Sequence, residues 1–342
     1  LTIDRSVQYL VEKALENAVK KYGATSGCVI VMDPMSGEII ALANYPSFDP
    51  SHLLSESEAK NKAISDVYEP GSVMKPFTIS AGLSTKKISP SSTFVDSGPV
   101  VYSGYTINNW DGKHHGVQDI SQLLQKSNNI GAAWAGHLIG SENLYNYLIK
   151  FGFGNKTGVE LEGEDTGVIR HFSEWTDIDL ANISFGQGIS ATPLQVLNAF
   201  NVFANGGILY RPRIIAEIRT GDKTIKMEKV PVRRVLSPKV ADSMHELLIS
   251  AVDQGESRFF NIKEYKVAGK TGTAQIPKEG KYDSSSTNAT FLGYLATSKK
   301  YSMLVRLEKP QTSYYASETA VPLWMDLARQ LTSYYCIPPD EM

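Results

Sequence analysis

The chain has 342 residues, 42% of them hydrophobic, enough to bury one large core or two. Lys plus Arg number 34 and Asp plus Glu 36, a net charge of -2 with no basic stripe and no interleaved aromatics, which argues against a nucleic-acid partner. Two cysteines cannot build a disulfide framework, and six histidines show neither His-Glu-x-x-His nor cysteine pairing, so no metal site and no cofactor is expected.

Taken in chain order, Val7, Leu10, Val11, Ala14, Leu15 and Val19 recur at helical spacing and predict an amphipathic helix over residues 4–22. Gly27–Met32 and Glu38–Ala43 read as two strands of a hairpin turned at Asp33–Gly37, with Cys28 buried in the first. Mostly helical sequence follows at 72–83, 118–126, 129–139, 142–150, 192–205 and 237–252. Ser141-Glu142-Asn143 after Gly140 is expected to cap one of these helices. Residues 208–236 read as an accessory hairpin turned at Thr220–Lys223. Three more strand-like runs, Tyr265–Gln275, Thr290–Ala296 and Tyr301–Leu307, precede a closing helix at about 317–332. Pro277–Asn288 reads as a long polar join, and Ser284–Thr287 within it as a flexible lip. The expected architecture is α+β: one antiparallel sheet of about five strands built from 1–50 and 260–342, flanked by helices, with a mostly helical part inserted at about 51–259.

Glu69-Pro70-Gly71-Ser72-Val73-Met74-Lys75-Pro76-Phe77 carries the most chemistry. Gly71 turns the chain and Pro76 tolerates only an early helix position, so a helix begins near Ser72. Residues three apart share a helix face, which brings the Ser72 hydroxyl to the Lys75 amine. A hydroxyl is a weak nucleophile until a base takes its proton, and a lysine among apolar groups can be that base. Ser57…Lys60 and Ser84…Lys87 repeat the spacing, the first in a charged stretch and the second at a helix end, so both read as coincidences. Ser127-Asn128-Asn129 lies between two apolar helical runs and reads as a polar loop presented to a cleft. Lys270-Thr271-Gly272-Thr273 sits in an edge strand whose glycines admit a close neighbour, whereas Lys156-Thr157-Gly158 follows a glycine-rich helix exit and reads as a turn.

Ser-x-x-Lys, Ser-x-Asn and Lys-Thr-Gly in this order resemble the active-site signature of penicillin-binding proteins and class A β-lactamases. The flanks resemble the class B penicillin-binding proteins, the monofunctional peptidoglycan D,D-transpeptidases. The likeness is carried by Leu1-Thr2-Ile3-Asp4, Asp33-Pro34, Ser36-Gly37-Glu38, Tyr45-Pro46-Ser47-Phe48-Asp49-Pro50 and the run Phe185–Gln195, and it extends to about residue 310. Lys-Thr-Gly-Thr and Lys-Ser-Asn-Asn look more like the cell-division or sporulation type than the elongation type. The resemblance implies one transpeptidase domain over 1–342, acting on stem peptides that end in D-Ala-D-Ala and acylated by β-lactams. A D,D-carboxypeptidase or a β-lactam-binding sensor on the same fold is the alternative.

It further implies Ser72 as nucleophile, Lys75 as its base and Ser127 as proton carrier. Lys270 takes the substrate carboxylate or keeps Ser127 able to carry a proton, Asn129, Thr271, Gly272 and Thr273 bind substrate, and the N–H groups of Ser72 and Thr273 form an oxyanion hole. Glu160, Glu162 and Glu164 read as a solvated acidic turn and not as a water-activating site, which argues against a β-lactamase. Gly255-Glu256-Ser257 departs from a Gly-Thr-Ala-like turn, with a different surface but unchanged chemistry expected there. No run is apolar and long enough to cross a bilayer. The family carries a membrane anchor and a pedestal before such a domain. Work on the outer face of the cytoplasmic membrane is therefore implied, beside a glycan-polymerising partner and division or sporulation proteins.

Overall fold

The computed structural model describes residues 1–47, 49, 51, 60–278 and 281–340. Ser57 of the first coincidental Ser-x-x-Lys match lies outside them, as do Phe48 and Pro50 of the Tyr45–Pro50 segment. Helix α1 spans Arg5–Tyr22, capped by Asp4, whose carboxylate accepts from the N–H groups of Ser6 and Val7. Strands β1 (Ser26–Met32) and β2 (Ile39–Tyr45) form the expected hairpin. Helix α2 (Lys62–Ser65) leads to a 3-10 turn at Gly71–Met74, which runs straight into α3 (Lys75–Ser84).

Short strands β3 (Thr93–Asp96), β4 (Val100–Tyr102), β5 (Tyr105–Ile107) and β6 (Gly116–Asp119) pair as β3–β6 and β4–β5. Helices α4 (Ile120–Gln125), α5 (Asn129–Ile139), α6 (Ser141–Phe151), α7 (Asp177–Ser184) and α8 (Pro193–Ala204) follow. The accessory region holds β7 (Ile208–Tyr210), β8 (Glu217–Thr220), β9 (Lys223–Lys226) and β10 (Pro231–Arg234), with β8 and β9 joined at the expected turn. Helix α9 (Pro238–Asp253), strands β11 (Val267–Lys278), β12 (Lys281–Leu295) and β13 (Ser302–Glu308), and helix α10 (Ala320–Tyr334) complete the chain.

The main sheet has five strands in the order β11-β12-β13-β1-β2, each neighbouring pair antiparallel. Strand β1 is buried along its whole length because both faces are covered. Val29 and Val31 pack with α1 and α10, and Cys28, Ile30 and Met32 with the helical half, as the two-residue period of a strand requires. Phe77 of α3 sits at the centre of that helical half, its ring 4.9 Å from Phe151 and 5.2 Å from Phe153.

Two expectations fail here and a third holds only in part. Pro277–Asn288 is not a long loop: β11 and β12 continue as a paired hairpin past a register shift at Gln275/Ile276, and Ser284–Thr287 is strand. A strand at the sheet's edge can tolerate Pro277, which has no N–H to give. Ser141 does not cap α6; Gly140 holds the cap position at φ 82° and Ser141 is already the first helical residue. The acidic run is a solvated turn only at Glu162 and Gly163, since the buried Glu164 accepts from the Thr157 N–H at 2.7 Å and Glu160 from the Ile214 N–H at 2.9 Å. Backbone donors left free by the chain's turns recruit these carboxylates.

Candidate active site

Edge strand β11 packs against the 3-10 turn that carries Ser72, and glycines set the distance. A Cβ on Gly272 would lie 2.8 Å from Val73 Cγ1 and 3.0 Å from the Pro70 carbonyl. One on Gly186 would lie 2.1 Å from the Gly71 carbonyl oxygen. Three backbones therefore meet where only hydrogen fits. Thr271, Thr273 and Gln275 alternate to the other face and line a cleft of about 450 Å³ opposite Ser72, Ser127 and Asn129. Gly272 thus faces the helix start and not the cleft.

Ser127 stands between α4 and α5 at φ 53°, a backbone conformation that costs a non-glycine residue about 1–2 kcal/mol. Its neighbour holds it there. Asn128 caps α5 by accepting from the Gly131 N–H at 2.7 Å, while its amide donates to Asp96 at 2.6 Å and to Gln118 at 2.9 Å. Asp96 is fully buried and also accepts from Asn109 at 2.8 Å and from the His115 N–H at 3.1 Å. The small strands β3 to β6 are absent from the sequence-based expectation, and the β3–β6 pair seats Asp96 and Gln118 under the Ser127 loop.

Lys75 is fully buried, and its Nζ lies 2.9 Å from Ser72 Oγ, 3.2 Å from Ser127 Oγ and 2.8 Å from Asn129 Oδ1; it also donates to the Ser127 carbonyl. Lys270 Nζ donates to Ser127 Oγ at 3.0 Å, to the Thr271 carbonyl at 3.1 Å and to Thr271 Oγ1 at 3.2 Å. Ser127 Oγ therefore sits between two amines. Desolvation pulls the pKa of Lys75 well below that of an ordinary lysine, and the Lys270 charge pulls it further; Glu256 opposes both. Lys270 is lowered by burial and held up by Glu256. An amine without its extra proton fits the pocket: two N–H groups serve Ser127 O and Asn129 Oδ1, and the lone pair faces the Ser72 hydroxyl.

The structure thus brings Ser72, Lys75, Ser127, Asn129, Lys270, Thr271 and Thr273 to one cleft. Asn129 is engaged on both sides, since its amide nitrogen donates to the Asn108 carbonyl at 2.9 Å. Thr273 Oγ1 accepts from the Ala316 N–H at 3.0 Å. Lys156-Thr157-Gly158 lies in no strand, and Thr157 serves Glu164. Glu256 was expected to leave the chemistry alone. It lines the cleft and accepts from Thr271 Oγ1 at 2.9 Å, so its neighbourhood is part of the site. No motif marks it; only its place after α9 does. Among the described residues no group of three or more His, Cys, Asp or Glu could hold a metal, and no helix is long and apolar enough to cross a membrane.

The family described as the penicillin binding protein transpeptidase domain matches residues 27–329. The chain belongs to that family. The transpeptidase domain is 33% identical to stage V sporulation protein D of Bacillus subtilis, over 96% of this chain and 52% of the relative. It is 29% identical to the peptidoglycan D,D-transpeptidase FtsI of Escherichia coli, over 100% of this chain and 57% of that protein. These relatives agree with the class B, division or sporulation type expected from the motifs. Penicillin binding protein 3 of Mycobacterium tuberculosis, solved with aztreonam, superposes with a TM-score of 0.91 at 30% identity, over 100% of this chain and 80% of that one. The transpeptidase domain spans a little over half the length of these two curated relatives.

Proposed function

We propose that this domain is a serine D,D-transpeptidase that cross-links peptidoglycan stem peptides through an acyl-enzyme on Ser72 and is acylated by β-lactams. The observation that carries the proposal is the buried Lys75 amine, 2.9 Å from Ser72 Oγ and in reach of Ser127 Oγ. Ser72 Oγ adds to the carbonyl of the penultimate D-Ala while its proton passes to Lys75 Nζ. The tetrahedral adduct then collapses. The C–N bond breaks, and the proton moves from Lys75 through Ser127 Oγ to the departing D-Ala nitrogen. Lys270 and the Thr273 hydroxyl take the terminal carboxylate.

The N–H groups of Ser72 and Thr273 receive the oxyanion, each worth about 2.7–4 kcal/mol by analogy with other acyl-transfer enzymes. An amine from a second wall strand attacks the ester, gives up a proton along the same relay and releases Ser72. Peptidoglycan as substrate supports work on the outer face of the cytoplasmic membrane, and the family resemblance supports a glycan-polymerising partner working with division or sporulation proteins. Ser72→Ala abolishes covalent labelling by a fluorescent penicillin, with the adduct on wild-type protein mapping to the peptide that contains Ser72. Labelling that survives the substitution would refute the assignment.

A further inference from the structure

Among the described residues that line the cleft, Glu256 is the one acid. It is fixed from behind. Gly255 follows the end of α9 where a Cβ would lie 2.1 Å from the Ala251 carbonyl oxygen and 2.8 Å from that of Gln125, so the chain is pressed against the end of α4 just before Ser127. Glu256 Oε2 accepts from Thr271 Oγ1 at 2.9 Å, and Lys270 Nζ donates to that same Oγ1 at 3.2 Å and to Ser127 Oγ at 3.0 Å. Polar contacts therefore run unbroken from Lys75 through Ser127, Lys270 and Thr271 to Glu256.

A threonine hydroxyl has one proton to give. Thr271 gives it to Glu256, so it is not available to a second carboxylate. Thr273 accepts from Ala316 and keeps its proton for a ligand. Resting on the acyl-transfer reading, we propose that Glu256 is an internal stand-in for the substrate's terminal carboxylate. It occupies Thr271 and balances the Lys270 charge until an anionic ligand displaces it, which makes it a specificity-determining residue. The benefit is a defined charge state before substrate arrives: Glu256, reached through Thr271 Oγ1, favours a charge on Lys270, and that charge disfavours a second one on the Lys75 amine beside Ser72. The cost falls on anionic ligands, which meet a like charge at the point where they must dock.

The test compares acylation of Ser72 by benzylpenicillin, which carries a carboxylate, with acylation by its methyl ester, which does not. The readout is the ratio of the two second-order rate constants. In Glu256→Gln and Glu256→Ala that ratio rises roughly tenfold over wild type, the order expected for one like-charge pair a few ångströms apart. Glu256→Asp, which keeps the charge, stays near wild type. A purely structural role for Glu256 would move both rates together and leave the ratio alone. An unchanged or reduced ratio overturns the proposal. Failure of both penicillin forms to modify Ser72 in the wild-type protein overturns the acyl-transfer reading itself.

Discussion

On the proposed mechanism, the single buried side chain of Lys75 bears on both activity and stability. In that mechanism its uncharged amine is the reactive form, because a protonated one has no lone pair for the Ser72 hydroxyl. The rate of Ser72 acylation therefore rises with pH as Lys75 loses its proton, with a midpoint well below the ordinary lysine value of 10.5. Stopped-flow acylation by a chromogenic β-lactam across pH measures this, and Lys75→Ala lowers the plateau by roughly 10²–10⁴-fold. A midpoint near 10.5 would contradict the burial argument. Stability has a definite sign too. Between the lowered folded value and 10.5 the unfolded chain binds the proton that the folded one rejects, so unfolding free energy rises with pH across that window. Lys75→Met removes this slope, as denaturant midpoints measured over pH would show. Ser72, Lys75, Ser127 and Lys270 are legible in the sequence because their spacing repeats a known chemistry. Glu256 is not, because its contact with Thr271 comes from the place where α9 stops.

At the scale of elements, catalytic geometry depends on how closely β11 and the Gly186 loop approach the 3-10 turn at Gly71–Met74. Gly186→Ala combines a left-handed backbone at φ 89° with a Cβ 2.1 Å from the Gly71 oxygen. Such strain costs about 1–3 kcal/mol before the clash is counted. The relief available is to push Gly71, and with it Ser72, away from Lys75. Reduced thermal stability and acylation slowed well beyond tenfold are expected together. Gly221→Ala is the control: at φ 57° it also strains the backbone, but nothing lies within 4 Å of its Cβ and the β8–β9 turn is remote from the cleft. It lowers stability by about 1 kcal/mol and leaves acylation as it was. Equal effects on acylation would discount the close-approach argument. Long periodic elements such as α1, α8 and α9 were legible because apolar spacing alone defines them. Helix α7 is too short for apolar spacing to define it, and its trace in the sequence is the capping box that Thr176 and Asp179 form. Strands β3 to β6 leave no such trace, since pieces of three or four residues are too short to show a period, and β3 and β6 meet the Ser127 loop through Asp96 and Gln118.

The whole molecule explains why the cleft needs both ends of the chain. Strand β13 pairs with β1, so residues near 305 and near 29 are neighbours, and the sheet is complete only when the two ends of the chain meet. Strand-like runs at both ends of the sequence predict a five-strand antiparallel sheet, and the structure has one. The strand order came from pairing that no local pattern encodes. Lys270 rides on β11, β11 is paired to β12, and the far face of β12 rests on α10, where Trp324 meets Phe291 ring to ring at 5.2 Å and donates to the Met303 carbonyl at 2.8 Å. Trp324 touches nothing in the cleft. Trp324→Ala removes a fully buried indole and costs about 3–5 kcal/mol. Ser72, Ser127 and Lys270 come from three distant segments, and tertiary packing is what registers one against another. In a urea titration the loss of penicillin labelling and the loss of near-ultraviolet circular dichroism should therefore coincide, in the wild type and, at lower urea, in the variant. If labelling instead outlasted the spectroscopic transition, the helical half would keep the Ser72 and Lys75 pair competent without the sheet, and β11 would be needed for ligand recognition alone.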